Sequence, residues 1–302
     1  MYNAFMKSKS LHIFAACLCF LAAGCSKESR DKAALAKSKS IQIKGSDTIV
    51  NLVQKWAEDF SLKDDTINIG ITGGGSGTGF AALINGTCDI AMSSRSIEEA
   101  ETKQSEENKI YPFEYKVGLD GLMVIVNPKN TVGELTLAQV RDIFMGTIKN
   151  WKELGGPDKK IVILSRESNS GTHMFFKEHV IRKGDKKSKD EFSPRALLMS
   201  SSQAIVNEVV QNPNALGYVG IGYMSPELKA IAIAKKKGDK YVSPDIDSVL
   251  SDRYPISRPL FLYASSKDNK LVNELIAYSL SDEGQRTVRK LDFVPLRKLD
   301  RN

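Results

Sequence analysis

One local pattern recurs along this chain and limits what it can fold into: a short apolar run, a turn of glycine and hydroxyl residues, then an amphipathic stretch. In "IQIKGSDTIVNLVQKWAEDF", Ile41 to Lys44 alternate as a strand does, "GSDT" breaks the run, and apolar residues then recur at helical spacing. "TINIGITGGGSGTGFAALIN" repeats the plan, and so does "KIVILSRESNSGTHMFFKEHVI". Two strands joined through a helix must lie parallel, because an antiparallel return would need only a tight turn. The chain is therefore expected to be α/β, with mostly parallel sheets flanked by helices.

The remaining segments extend this reading. "CDIAMSS" predicts a strand and "IEEAETKQSEEN" a charged, exposed helix. "YKVGLDGLMVIVNP" is a longer apolar run ended by Pro128, and "YPISRPLFLYAS" a second one. Both read as strands crossing between two lobes. "TLAQVRDIFMG" predicts a helix with Thr136 as its cap, "SSQAIVNEVVQNPN" a helix closed by Asn-Pro, and "ALGYVGIGY" a strand. "NKLVNELIAYSL" and "SDEGQRTVRKL" predict helices that pack back on the first lobe.

The N-terminus carries an address. Lys7 and Lys9 precede the apolar run Leu11–Ala23, too short to span a bilayer as a helix and suited to a signal-peptide core. "LAAGCS" then matches a bacterial lipoprotein cleavage pattern, with Ala22 where a leucine is usual. Cys25 is the expected lipidated residue, residues 1–24 the signal peptide, and residues 25–40 a polar tether. The rival is a plain secretory signal cleaved nearby. Loss of the leader removes Lys7 and Lys9 and lowers the formal charge from +7 to +5.

Several function classes fit poorly. The basic runs "KKKGDK" and "RKGDKKSKD" lack interleaved aromatics and read as solvated faces, so nucleic-acid binding is not expected. Cys17 and Cys19 leave with the signal, which makes Cys88 a lone buried thiol, and no cofactor or metal site is expected. His173 and His179 stand six apart, the wrong spacing for two ligands on one helical face.

The turns carry the chemistry. In an open α/β sheet, ligands sit at the carboxyl ends of the strands. "GSDT", "GGGSGTG", "SSRS" and "RESNSGT" all fall there, and three of them open helices, where free amides and the dipole favour an anion. Arg95 and Arg166 add planar forks. Each turn alone has a plainer use: a helix cap for "GSDT" and "RESNSGT", a surface loop for "SSRS", and a close turn for the glycines, which form neither a P-loop nor a dinucleotide fingerprint. Together, from two facing lobes, they describe a cage for a tetrahedral oxyanion.

From Ile41 to Leu296 the order of these motifs resembles the phosphate-binding subunits of bacterial phosphate ABC transporters. "GSDTIVNLVQKWAEDF", "GGGSGTGFAALINGTCDIAMSSR", "GLDGLMVIVNP", "LTLAQVRDIFMGTIKNWKELGG", "SRESNSGTHMFF", "NALGYVGIGY" and "YPISRPLFLY" carry the resemblance. It implies a two-lobed, type II periplasmic-binding-protein-like fold with the ligand cleft between lobes. Residues 41–119 plus 260–302 would form one lobe and 120–259 the other, hinged near Val117–Val126 and Ser257–Ala264. By the same resemblance, Ser46, Thr48, Ser76, Ser94, Arg95, Arg166, Ser170, Gly171 and Thr172 hold inorganic phosphate. The best-known branch of the family has an aspartate where this chain has Ser94, and that aspartate accepts the ligand's proton. Asp47 is the candidate to replace it.

The implied protein is a monomeric, lipid-anchored, extracytoplasmic binding protein that hands phosphate to permease subunits and is no enzyme. A site for sulfate, molybdate or tungstate is the alternative. A phosphohydrolase, pairing Ser170 with His173, and an adhesin or sensor that kept only the fold are the rivals from other classes.

Overall fold

A computed structural model describes residues 40–62 and 64–299. Cys25, the expected leader and most of the expected tether lie outside these residues. The first strands and helices follow the predicted alternation: β1 (Ser40–Gly45), α1 (Val50–Ser61), β2 (Asn68–Thr72), α2 (Ser76–Ile84), β3 (Ile90–Ser93) and α3 (Glu99–Glu107). The long strand β4 (Phe113–Val126) comes next, followed by β5 (Glu134–Thr136) and α4 (Leu137–Phe144). Then come β6 (Val162–Arg166), α5 (Gly171–Phe176), β7 (Leu197–Met199), α6 (Ser202–Gln211) and β8 (Ala215–Gly220). The chain continues through β9 (Lys229–Ala230), β10 (Ala232–Ala234), α7 (Ile246–Leu250), β11 (Ser257–Ala264), α8 (Lys270–Leu280) and α9 (Asp282–Lys290).

The main sheet has the order β2-β1-β3-β11-β4-β8-β6-β7, with β9 added beside β4. β1 pairs in parallel with β2 and β3, and β6 with β7 and β8. The two long strands between these groups are antiparallel to each other and to their neighbours. β4 changes partner along its length: Phe113–Gly121 pair with β11, and Leu122–Val126 with β8. One strand therefore belongs to both halves of the sheet.

Burial follows the period-2 alternation of the strands. Met123 and Ile125 of β4 join a core formed with α1, α6, α8 and α9, which contribute Trp56, Ile205, Leu275 and Val288. Leu122, Val124 and Val126 face the opposite core, with Phe144 of α4 and Phe176 of α5. A third cluster packs α2 under β3 and β11 through Phe80, Leu83, Ala91 and Tyr263. Thr136 caps α4 as predicted, accepting from the Gln139 amide at 3.2 Å. The short β5, β7, β9, β10 and α7 were not predicted, because two to five residues carry no readable period. The expected helix "SGTHMFFKEHVI" keeps α-helical bonding only to Phe176 and continues as a π-helix over Lys177–Ile181.

Candidate functional site

The turns after β1, β3 and β6 and the entry to α2 meet at one point. Gly75 makes this possible. Its φ is +99°, and a Cβ there would lie 2.6 Å from the Asn169 carbonyl oxygen. Asn169 fastens the two glycine-containing turns together. Its Nδ2 donates to Gly74 O at 2.9 Å, and its carbonyl accepts from Gly77 N at 3.0 Å.

At this point five hydroxyls form a buried cluster, with Ser46, Thr48, Ser76, Ser94 and Thr172 each at most 2% exposed. Ser46 Oγ donates to Ser94 Oγ at 3.0 Å, and Thr48 Oγ1 and Thr172 Oγ1 are 2.7 Å apart. Ser94 Oγ is also 3.5 Å from both Ser76 Oγ and Thr172 Oγ1. Backbone amides hold several of the oxygens in place: Thr48 N donates to Ser46 Oγ, Ser94 N to Ser76 Oγ and His173 N to Ser170 Oγ. Gly171 presses against the cluster so closely that a Cβ there would lie 2.2 Å from Ser76 Oγ and 2.9 Å from Ser94 Oγ. The expected residues Ser46, Thr48, Ser76, Ser94, Gly171 and Thr172 are thus brought together, with Ser170 capping α5 beside them.

The three charged residues expected in the cage are placed differently. Arg166 is 1% exposed, and four of its five N–H donors have partners. Its Nη2 donates to Asp47 Oδ2 at 2.5 Å and to Ser200 O at 2.9 Å, its Nε to Met199 O and its Nη1 to Ser202 Oγ. Asp47 Oδ1 accepts from Gly74 N at 3.1 Å. Asp47 and Arg166 therefore satisfy each other, where the sequence suggested that each would face the ligand. Arg95 turns to the rim, where Nη1 and Nη2 bind the two carboxylate oxygens of Glu101 at 2.7 Å each and Nε lies 3.4 Å from Glu98. In both cases a largely buried guanidinium takes the carboxylate that geometry places closest.

The arginine that touches the hydroxyls is Arg258, which sequence reasoning missed. Its Nη2 donates to Thr172 Oγ1 at 3.0 Å and to Thr48 Oγ1 at 3.3 Å. Nε and Nη2 also donate to Asp120 Oδ2, at 3.0 and 2.8 Å, and Asp120 Oδ1 accepts from Ile221 N. Arg258 and Asp120 are direct Cα partners across β11 and β4, and both side chains are fully buried. Burial pushes the Asp120 carboxyl up and the Arg258 guanidinium down, and their mutual bond opposes both shifts. A signal existed in the sequence. A single Asp within "VGLDGLMVIV" and a single Arg within "ISRPLFLY" are charges in strands otherwise built for burial, and such charges need partners.

His173 does not form the pair with Ser170 that a hydrolase would need. Its Nδ1 lies 3.2 Å from Ser165 Oγ, its ring stacks on Phe192, and burial pushes it down to about 4. Cys88 is buried, as expected of a small apolar side chain, and burial pushes its thiol up to about 12. Among the described residues, no three His, Cys, Asp or Glu side chains gather as a metal site, and no helix is long and apolar enough to cross a membrane. An open cleft of about 840 Å³ lies beside the cluster, lined in part by Arg95, Glu98, Phe175, His179 and Arg258.

The comparisons agree with this architecture. The family profile of the PBP superfamily domain matches residues 31–283. The phosphate-binding protein PstS of Pseudomonas aeruginosa is 34% identical over 269 residues, covering 83% of this chain and 81% of the relative. The PstS of Staphylococcus epidermidis is 36% identical over 253 residues, covering 80% and 74%. A phosphate ABC transporter substrate-binding protein from Clostridium perfringens, solved with bound phosphate, superposes with a TM-score of 0.76 at 31% identity, covering 85% of this chain and all of that one. A fold, a hydroxyl-lined junction and relatives that coincide over most of their lengths lead to one conclusion: the chain belongs to the phosphate-binding protein family of the PBP superfamily.

Proposed function

We propose that this protein captures inorganic phosphate at the hydroxyl cluster and delivers it to the permease of a phosphate ABC transporter. One observation carries the reading. Hydroxyls from four separate turns, Ser46 and Thr48, Ser76, Ser94, and Thr172, converge in a buried place together with a guanidinium. Donors of this kind, prearranged and shielded from water, suit a tetrahedral oxyanion. The relatives named for phosphate binding supply the ligand's identity.

In this reading residues 41–119 plus 260–302 form one lobe and 120–259 the other, hinged where β4 and β11 cross. The lobes close on the ligand and the closed form is what the permease recognises. Cys25 carries the lipid that holds a monomer on the extracytoplasmic side of the membrane. Binding without turnover is supported by His173, which faces Ser165 rather than a nucleophile at the cluster. Isothermal titration against phosphate, sulfate, molybdate and tungstate tests the proposal. Phosphate is expected to bind most tightly of the four; absence of phosphate binding, or release of phosphate from an ester by pure protein, would overturn it.

A further inference from the structure

Four lysines stand together on a hairpin that takes no part in the hydroxyl cluster. β10 ends at Ala234, the chain turns through "KKKGDK", and Val242 bridges back antiparallel to Ile233, the two amides donating to each other's carbonyls at 2.9 and 3.1 Å. Ile233 is buried in the core, so the base of the hairpin is fixed. The tip projects into solvent. Lys235, Lys236, Lys237 and Lys240 are all exposed, and nothing lies within 4 Å of the place a Cβ would take on Gly238, whose φ is +93°.

The charge at this tip is uncompensated. Asp239 is the one carboxylate of the turn, and it serves the backbone, accepting from Lys236 N at 3.1 Å. None of the ion pairs among the described residues involves the four lysines. The other basic run, residues 182–191, interleaves five cations with three carboxylates and pairs Arg182 with Glu191. Exposed ammonium groups on flexible stems build no enclosed site for a single anion, and their chemistry suits an extended anionic surface. Tyr241 adjoins them, 36% exposed. Its apolar ring and polar tip suit the boundary between headgroups and acyl chains.

The rest of the chain is charged in the same sense. Residues 120–259, which carry the hairpin, hold 21 basic and 16 acidic side chains, a net +5, whereas residues 41–119 plus 260–302 hold 15 and 18, a net −3. Such a field turns the hairpin half toward an anionic plane and the other half away. From Cys25 to Ser40 the chain can reach at most about 50 Å, and a folded chain of this size is about 45 Å across. A lipid on Cys25 therefore leaves the hairpin able to meet the same membrane.

We propose that the Lys235–Tyr241 hairpin rests on the anionic phospholipid surface of the membrane that holds the anchor, and so sets the orientation of the tethered protein. The proposal rests on the reading of Cys25 as the lipidated residue.

The test uses the full chain, expressed with its leader, purified from membranes and reconstituted in vesicles of phosphatidylcholine with or without phosphatidylglycerol. A fluorophore is placed beside the hairpin on Ser243→Cys. Cys88 does not compete for the label, because it is buried and its thiol is pushed up to about 12. Brominated lipids are expected to quench the label in vesicles with phosphatidylglycerol and not in those without it. The quenching should vanish at high salt and in the variant Lys235→Gln, Lys236→Gln, Lys237→Gln, Lys240→Gln, whose phosphate affinity should match wild type. Equal quenching in both kinds of vesicle, equal quenching of wild type and variant, or no quenching at all would overturn the proposal. Binding of a soluble polyanion that the four substitutions abolish, without quenching on vesicles, would assign the hairpin to a polymer and overturn the membrane contact. If wild type does not float with neutral vesicles, the anchoring reading fails, and flotation with anionic vesicles decides on the hairpin by itself. Each lysine near such a surface strengthens binding about fivefold, so partition about a hundredfold or more weaker for the variant supports the contact, and equal partition overturns it.

Discussion

Replacing Asp47 with Asn separates two accounts of this carboxylate. The sequence suggested that Asp47 faces the ligand and accepts its proton, in which case the Asn variant would admit sulfate. The structure gives both carboxylate oxygens other donors, Gly74 N at 3.1 Å and Arg166 Nη2 at 2.5 Å. Removing one partner of a fully buried ion pair costs about 3–5 kcal/mol. Here the cost is smaller. Arg166 keeps Met199 O, Ser200 O and Ser202 Oγ, Asn still offers an oxygen, and the Asp47 side chain is 13% exposed. A loss of about 1.5–3 kcal/mol, as for a hydrogen bond to a charged group, is the better estimate. Asp47 follows β1 and Arg166 ends β6, so the loss falls on the form in which the two halves touch. Phosphate binding should weaken about tenfold to hundredfold, and sulfate should gain no advantage. Displacement of labelled phosphate by sulfate, at two pH values in wild type and Asp47→Asn, measures both effects. If sulfate competes with the variant and not with wild type, Asp47 touches the ligand and the placement argued here is wrong.

Three further outcomes are expected. Gly171→Ala puts a methyl 2.2 Å from Ser76 Oγ, so it should hold the turns apart and abolish phosphate binding while the melting temperature shifts little; calorimetry and thermal denaturation check this pair of results. His173 is neutral when folded because burial lowers it from 6.5 to about 4. Its contribution to stability is complete above pH 6.5 and is lost as pH falls toward 4, up to about 3 kcal/mol, so wild type should lose more stability than His173→Gln over that range in denaturant melts. Cys25→Ser should leave the precursor uncleaved by the lipoprotein peptidase and unlabelled by radioactive palmitate; a labelled variant would place the lipid elsewhere.

Local signals made much of the fold legible. β1, α1, β2 and α2 announce themselves through alternation, helical spacing and a glycine break, all of which act over a few residues. The hydroxyl residues that the structure brings together were legible for the same reason. Ser46, Thr48, Ser76, Ser94 and Thr172 stand just past strand ends, and strand ends of an α/β sheet converge. The sequence also held the family pattern through its ordered motifs.

Charge placement was decided only by the tertiary structure. Arg95 stands in a turn and Arg166 ends β6, and both looked like cations of the site, yet Glu101 and Asp47 pair with them, and Asp47 lies 119 residues from Arg166 in the chain. Arg258 and Asp120 are 138 residues apart and meet because β11 and β4 pair antiparallel in a register that places them opposite each other. A shift of that register by one residue would turn their side chains to opposite faces of the sheet. Periodicity and turn chemistry act locally and so survive in the linear sequence. The partner of a buried charge is fixed by distances that exist only once the strands have assembled, and that assembly is what brings Arg258 to Asp120 and to the hydroxyls of Thr48 and Thr172.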